Sequence, residues 1–167
     1  MRTKTIAKRQ STPSADRLWD EGHLRASFRQ LSILSQEGDS GAQGNLGYFF
    51  ECGIGTERNL RLARHWYRKA AANGNSCGSY NIAILEIQSR RYTRAVPWLR
   101  KAARQGEPAA LIRLAELHMS GRGTYRSIAR AKTLVAKVLA SNFTSEFDRE
   151  EAAQVLASIS EITGAKR

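Results

Sequence analysis

The sequence predicts an all-α solenoid, a side-by-side stack of helix hairpins closed by a further helix at each end. Three observations predict it. Proline is rare (Pro13, Pro97, Pro108), and no β-branched run alternates with polar residues, while alanine, leucine and arginine dominate. The chain repeats itself: Trp66-Tyr67-Arg68-Lys69-Ala70-Ala71 returns as Trp98-Leu99-Arg100-Lys101-Ala102-Ala103, 32 residues later. Gly53-Ile54-Gly55 likewise returns as Gly121-Arg122-Gly123, 68 residues on.

Each repeat is a helix pair, A then B. Leu24 to Gln36 matches a lone helix B, because Gly38 stands 36 residues before Gly74. The first repeat places helix A at about Gly41 to Cys52 and helix B at about Leu60 to Asn73. In the second, A runs about Ser79 to Gln88 and B about Thr93 to Gln105; in the third, A runs about Ala109 to Ser120 and B about Ile128 to Ala140. The anchor Ala42-x-x-x-Leu46-Gly47 returns as Ala110-x-x-x-Leu114-Ala115, with Ile82-Ala83 between, at offsets of 36 and 32. These offsets sum to 68 if the middle repeat has lost four residues near Ser89 to Thr93. Gly38, Gly74 and Gly106 end the B helices, where a left-handed residue suits glycine. Leu60, Ala63, Tyr67, Ala70 and Ala71 form one packing face. Ser145-Glu146-Phe147-Asp148 has the spacing of a capping box and opens a last helix with Ala152, Val155, Leu156, Ile159 and Ile162 on one face. The expected organisation is a disordered basic tail over 1–16 and one domain over 17–163. That domain comprises a capping helix at 17–37, repeats at 40–75, 76–107 and 108–141, and a capping helix at 145–163, with 164–167 disordered.

The pattern Ala42-Gln43-x-Asn45-Leu46-Gly47-x-Phe49-Phe50-Glu51-x-Gly53-x-Gly55, followed by Ala63-x-x-Trp66-Tyr67-x-Lys69-Ala70-Ala71-x-x-Gly74, resembles a Sel1-like repeat. The second copy has an abbreviated turn, and the third replaces Trp-Tyr with Leu134-Val135. The resemblance implies a superhelix related to tetratricopeptide repeats and a binding role, and it implies no reaction.

Hydrophobic residues at 41% and charged residues at 25% argue against global disorder. No apolar run approaches the roughly 20 residues of a membrane span, and Met1 to Ala15 lacks the apolar core of a secretory signal. Cys52 and Cys77 form no disulfide framework and match no metal spacing. Buried, reduced thiols and a cytoplasmic location are therefore expected. The histidines His23, His65 and His118 lie far apart, no phosphate-loop or nucleophile-elbow motif occurs, and no carboxylate pair recurs. The expectation is no enzyme, no metal and no cofactor.

Charge is the informative feature. Lys plus Arg total 27 against 15 acids, a net +12, with arginine outnumbering lysine 20 to 7. Eleven basic residues (Arg58, Arg61, Arg64, Arg68, Lys69, Arg90, Arg91, Arg94, Arg100, Lys101 and Arg104) share one segment with a single acid, Glu86. Arg61, Arg64 and Arg68 fall on one helix face, and the planar arginine fork suits carboxylate or phosphate. The second surface is the concave groove implied by the family resemblance, lined by A helices. Its candidates are Tyr48, Glu51 and Cys52, then Tyr80, Ile84, Ile87 and Gln88, then Ile112, Glu116 and Met119. About half of these should be exposed, foremost Tyr48, Tyr80 and Ile84.

The leading functional expectation is a protein-binding adaptor for an acidic protein partner, held by the groove and the basic flank. By analogy within the family, an immunity protein that neutralises an acidic toxin is one form of it. The alternative is weak, non-specific nucleic-acid binding through the convex arginines and the tail residues Arg2, Lys4, Lys8 and Arg9. A membrane-surface adaptor through the tail is a third reading.

Overall fold

The computed structural model describes residues 14–142 and 144–164; the tail basic residues Arg2, Lys4, Lys8 and Arg9 lie outside them. All regular structure in the described residues is helical. The helices are α1 (Ala15–Asp20), α2 (Leu24–Gln36), α3 (Ser40–Cys52), α4 (Leu60–Ala72), α5 (Ser76–Gln88), α6 (Tyr92–Arg104), α7 (Pro108–Ser120), α8 (Ile128–Leu139) and α9 (Glu146–Gly164). The hairpins α3–α4, α5–α6 and α7–α8 stack in chain order, as an all-α solenoid requires. Among A helices, α3 reaches α5, while no pair of B helices makes comparable contact. The stack therefore curves with its A helices on the inner side.

Small residues set the spacing of this stack. Tyr67 of α4 is fully buried, and its ring lies on Gly47 of α3, where an added Cβ would stand 2.5 Å from the ring. The equivalent pairs are Leu99 on Ala83 and Val135 on Ala115, so the smaller apolar side chain faces the larger small residue. Polar stitches also repeat. Asn73 Nδ2 donates to Gln43 Oε1 at 2.9 Å, and at the equivalent place Ser79 Oγ donates to Gln105 Oε1 at 2.6 Å. Side-chain caps from Asp39, Asn59, Asn75 and Ser127 satisfy the first free N–H groups of their helices.

The shortened middle turn is visible in the backbone. In the first repeat Asn59 N–H donates to Phe50 C=O (2.7 Å), and in the third Ser127 N–H donates to His118 C=O (2.8 Å), each spanning nine residues. In the middle repeat the same bond runs from Arg91 N–H to Glu86 C=O (2.8 Å) across five. The long turns press their second glycine onto the start of the preceding B helix. A Cβ on Gly55 would lie 2.5 Å from Leu24 O, and one on Gly123 would lie 2.5 Å from Tyr92 C. The short turn instead forces Arg90 to φ 56°, the single positive-φ non-glycine among the described residues. Arg90→Gly should raise stability by about 0.5–1 kcal/mol, the left-handed penalty less the added unfolded-state freedom. Urea denaturation checks this.

Four expectations are corrected at the ends and thiols. The N-terminal cap is two helices rather than one over 17–37, because the chain turns at Gly22 with φ 78°. Ala15 and Asp16 belong to α1 rather than to a disordered tail; there Ser27 Oγ donates to Ala15 C=O (2.8 Å), and Trp19 packs on Phe49. On α9 the buried residues are Ala152, Val155 and Ile159, while Leu156 is exposed. Cys52 and Cys77 are exposed rather than buried.

Candidate functional site

Repeat equivalence defines the inner surface. Tyr48, Ile84 and Glu116 occupy one register of α3, α5 and α7, and Asn45, Asn81 and Arg113 occupy the register one turn earlier. Tyr48 is 46% exposed, while Ile84 and Glu116 are half-buried. Tyr80 is also half-buried; burial raises its phenol pKa against the pull of the adjoining Arg113. Ile112 is a correction. It is fully buried in a core with Ala152, Val155 and Ile159, because α9 lies across α7 where a further A helix would stack. Gln88 is exposed at the end of α5 and stays outside the main cleft. Glu51 is tied inward, accepting from the Tyr67 hydroxyl at 2.7 Å.

That main cleft has a volume of about 680 Å³ and lies between α5, α7 and α9. Ile84, Ile87, Leu117, Met119, Val155 and Ile162 supply apolar wall, and Arg113, Glu116 and Arg122 supply the charge. Arg113 Nη1 binds Glu116 (2.9 Å) and Nη2 binds Glu151 of α9 (2.9 Å). Burial works against the Arg113 charge, and the hydrogen bonds it donates to Glu116 and Tyr80 outweigh that, so its pKa rises. A second pocket of about 270 Å³, lined by Trp19, Asn45, Tyr48 and Phe49, lies where α1 covers α3. The candidate residues are thus divided: Ile84, Ile87, Glu116 and Met119 share the main cleft, and Tyr48 belongs to the other pocket. A wider depression of about 950 Å³ at the junction of α2 with the first turn gathers none of them.

The eleven basic residues separate into two groups. Arg58 Nε donates to Glu51 C=O (2.9 Å), as Arg126 does to Met119 C=O (3.0 Å) in the third repeat, so both brace the A-to-B turn. Arg91 grips Glu86 side-on (2.6 and 3.2 Å), and Arg64 stands 3.9 Å from it. The Arg91 hydrogen bonds hold the Glu86 carboxyl below its ordinary range. Lys69 lies over Trp66 at 4.7 Å and Lys101 over Trp98 at 5.6 Å, a repeated cation–π pair. Arg61, Arg68, Arg90, Arg94, Arg100 and Arg104 are exposed and have no ion pair within the described residues. Arg64 therefore departs from the face expected of it with Arg61 and Arg68, because Glu86 draws it inward. Trp66 and Trp98 are half-buried beneath their lysines and offer no base-stacking platform.

Asn45, Asn81 and Arg113 were not among the sequence candidates, although the repeat register one helical turn before Tyr48, Ile84 and Glu116 identifies them. Among the described residues no three His, Cys, Asp or Glu side chains group to hold a metal, and no helix is long and apolar enough to cross a membrane.

Helix hairpins in this register, with a Gly-x-Gly turn and an inner groove, define a tetratricopeptide-like repeat solenoid. The Sel1 repeat family model matches residues 40–75, 89–107 and 108–135, and the chain is a Sel1-like repeat protein. A sel1-like repeat-containing protein of Acanthamoeba polyphaga mimivirus is 34% identical over 55 residues, 33% of this chain and 10% of that protein. A Sel1 repeat protein from Oxalobacter formigenes superposes with a TM-score of 0.66 at 21% identity, covering 83% of this chain and 54% of the other. A protective antigen present in uropathogenic Escherichia coli strains superposes with a TM-score of 0.68 at 18% identity, covering 86% of this chain and 36% of that one. The chain thus spans about a tenth of the curated relative and between a third and somewhat over half of the solved structures. The structural likenesses establish the fold.

Proposed function

We propose that this protein is a non-enzymatic docking module for an acidic protein partner. It takes an amphipathic segment into the inner groove and attracts that segment with its arginine flank. The main support is the cleft between α5, α7 and α9, where aliphatic side chains from three helices face a shared space. Such a wall accepts the apolar face of a helix or extended peptide. Arg113, Glu116 and Glu151 pair with one another at its edge, which leaves the aliphatic wall as the surface on offer. The unpaired arginines on the B helices favour carboxylate-rich partners and raise the rate of encounter.

The test is affinity purification from the native host at low and high salt, followed by mass spectrometry, with wild type beside Ile84→Glu. An acidic protein should be recovered at low salt, weaken at high salt, and be lost with Ile84→Glu, which places a charge in the apolar wall. Equal recovery by both forms would overturn the groove reading. Toxin neutralisation is the narrower form of this proposal. It requires that the recovered protein be acidic and encoded beside this chain, and it fails if no such protein co-purifies.

A further inference from the structure

We propose that the shortened middle repeat forms a receptor for carboxylate-rich peptide, an arginine notch on the convex side of the solenoid. This inference rests on the acidic-partner reading and adds a place where the acidic side chains bind. Its origin is the loss of four residues from the middle A-to-B turn. Elsewhere a nine-residue connection drops a glycine onto the start of the preceding B helix, Gly55 on Leu24 and Gly123 on Tyr92. The equivalent target in the middle is Leu60 at the start of α4, and the five-residue connection carries no such glycine. Arginines meet there instead. Arg61 and Arg68 stand exposed on α4 with Arg64 drawn inward between them, and Arg90, Arg91 and Arg94 come from the turn and the start of α6.

Glu86 shows that the two sets converge and what they bind. Glu86 is 8% exposed, and its carboxylate is gripped by Arg91 and approached by Arg64, while the charge of Arg94 also bears on it. Three guanidinium groups, from both sets, therefore bear on one internal carboxylate. Arg61, Arg68, Arg90 and Arg94 remain exposed and unpaired within the described residues, and the Arg64 Nε is buried without a hydrogen-bond partner. Clustered like charges repel, and external carboxylates relieve that repulsion while gaining the side-on geometry already seen at Glu86. Arg61 and Arg68 stand seven residues apart, about 10 Å along the helix. That length matches two helical turns of a partner or three residues of extended chain. Beside these arginines on α4, Tyr67 is fully buried and Lys69 covers Trp66, which favours peptide over nucleic acid.

Fluorescence anisotropy of labelled decaglutamate with the full chain, at about 0.1 M salt, tests the notch. The variants are Arg61→Ser/Arg94→Ser in the notch, Arg100→Ser/Arg104→Ser as an equal-charge control, and Ile84→Glu in the groove, each checked for unchanged helicity. Wild type should bind, the notch variant should bind about tenfold more weakly, and the control should lose only about twofold to threefold. Equal losses in notch and control variants would reduce the notch to diffuse charge and overturn it. Preferential binding of a single-stranded oligonucleotide of equal charge would also overturn it. Loss with Ile84→Glu alone would sink the notch and leave the acidic-partner reading standing. If wild type fails to bind decaglutamate, both fall.

Discussion

Tyr67→Ala should lower the unfolding free energy by about 3–5 kcal/mol, the range for truncating a fully buried aromatic. Tyr67 is completely enclosed in a cluster with Ala63, Ala71, Ile82 and Leu85, so truncation removes packing from all of them. Its hydroxyl also donates to Glu51, and truncation leaves that half-buried acceptor without its phenol. Burial and the Glu51 carboxylate raise the phenol pKa well beyond its usual range, so the donor proton stays in place throughout physiological pH. Trp66→Ala should cost less, because Trp66 is only half-buried. An unchanged urea midpoint for Tyr67→Ala would mean that α3 and α4 do not pack in this register.

The same contact gives a sharper measurement. Gly47→Ala adds a methyl group where Tyr67 ring atoms would stand 2.5 and 2.6 Å away, and should cost about 1–3 kcal/mol through overpacking. The double change Gly47→Ala/Tyr67→Leu recreates the Ala83–Leu99 pair of the middle repeat, whose members are both fully buried. It should be more stable than the sum of its single losses by about 1–2 kcal/mol. Simple additivity in a double-mutant cycle would show that these two residues are not in contact.

This complementarity explains why the hairpins were legible in the sequence. The Leu46/Gly47 anchor, the Trp66-Tyr67 and Trp98-Leu99 steps and the turn glycines are spaced by packing, so matching them fixes the helices to within a few residues. Exposure was harder to read, because it depends on what each repeat meets next. Tyr80 and Ile112 are equivalent in register, yet Tyr80 is half-buried while Ile112 is enclosed because α9 crosses α7 there. The charge count was equally blind to direction. Eleven basic residues in a run resembled one surface, but Arg58 holds a carbonyl, Arg64 and Arg91 hold Glu86, and two lysines cover tryptophans. Those assignments depend on three-dimensional neighbours that a linear charge pattern does not contain.

Glu86 provides the second large effect. Its carboxylate joins α4, α5 and the short turn, so Glu86→Gln removes the anion that Arg64 and Arg91 share. Because the Arg91 side chain is 40% exposed and solvent screens the pair, the loss at neutral pH should be about 1–3 kcal/mol, below that of a wholly buried ion pair. The pH dependence identifies the cause. Folding lowers the Glu86 pKa from its ordinary value of 4.5, so the unfolded chain binds this proton more readily than the folded one. The stabilisation is present above pH 4.5 and disappears as pH falls through the lower folded-state value. Wild type should therefore lose stability over that acid interval, whereas Glu86→Gln should lack this component of the loss. Parallel acid profiles for the two proteins in urea titrations would refute the assignment of Glu86 as the charge that holds the arginine cluster together.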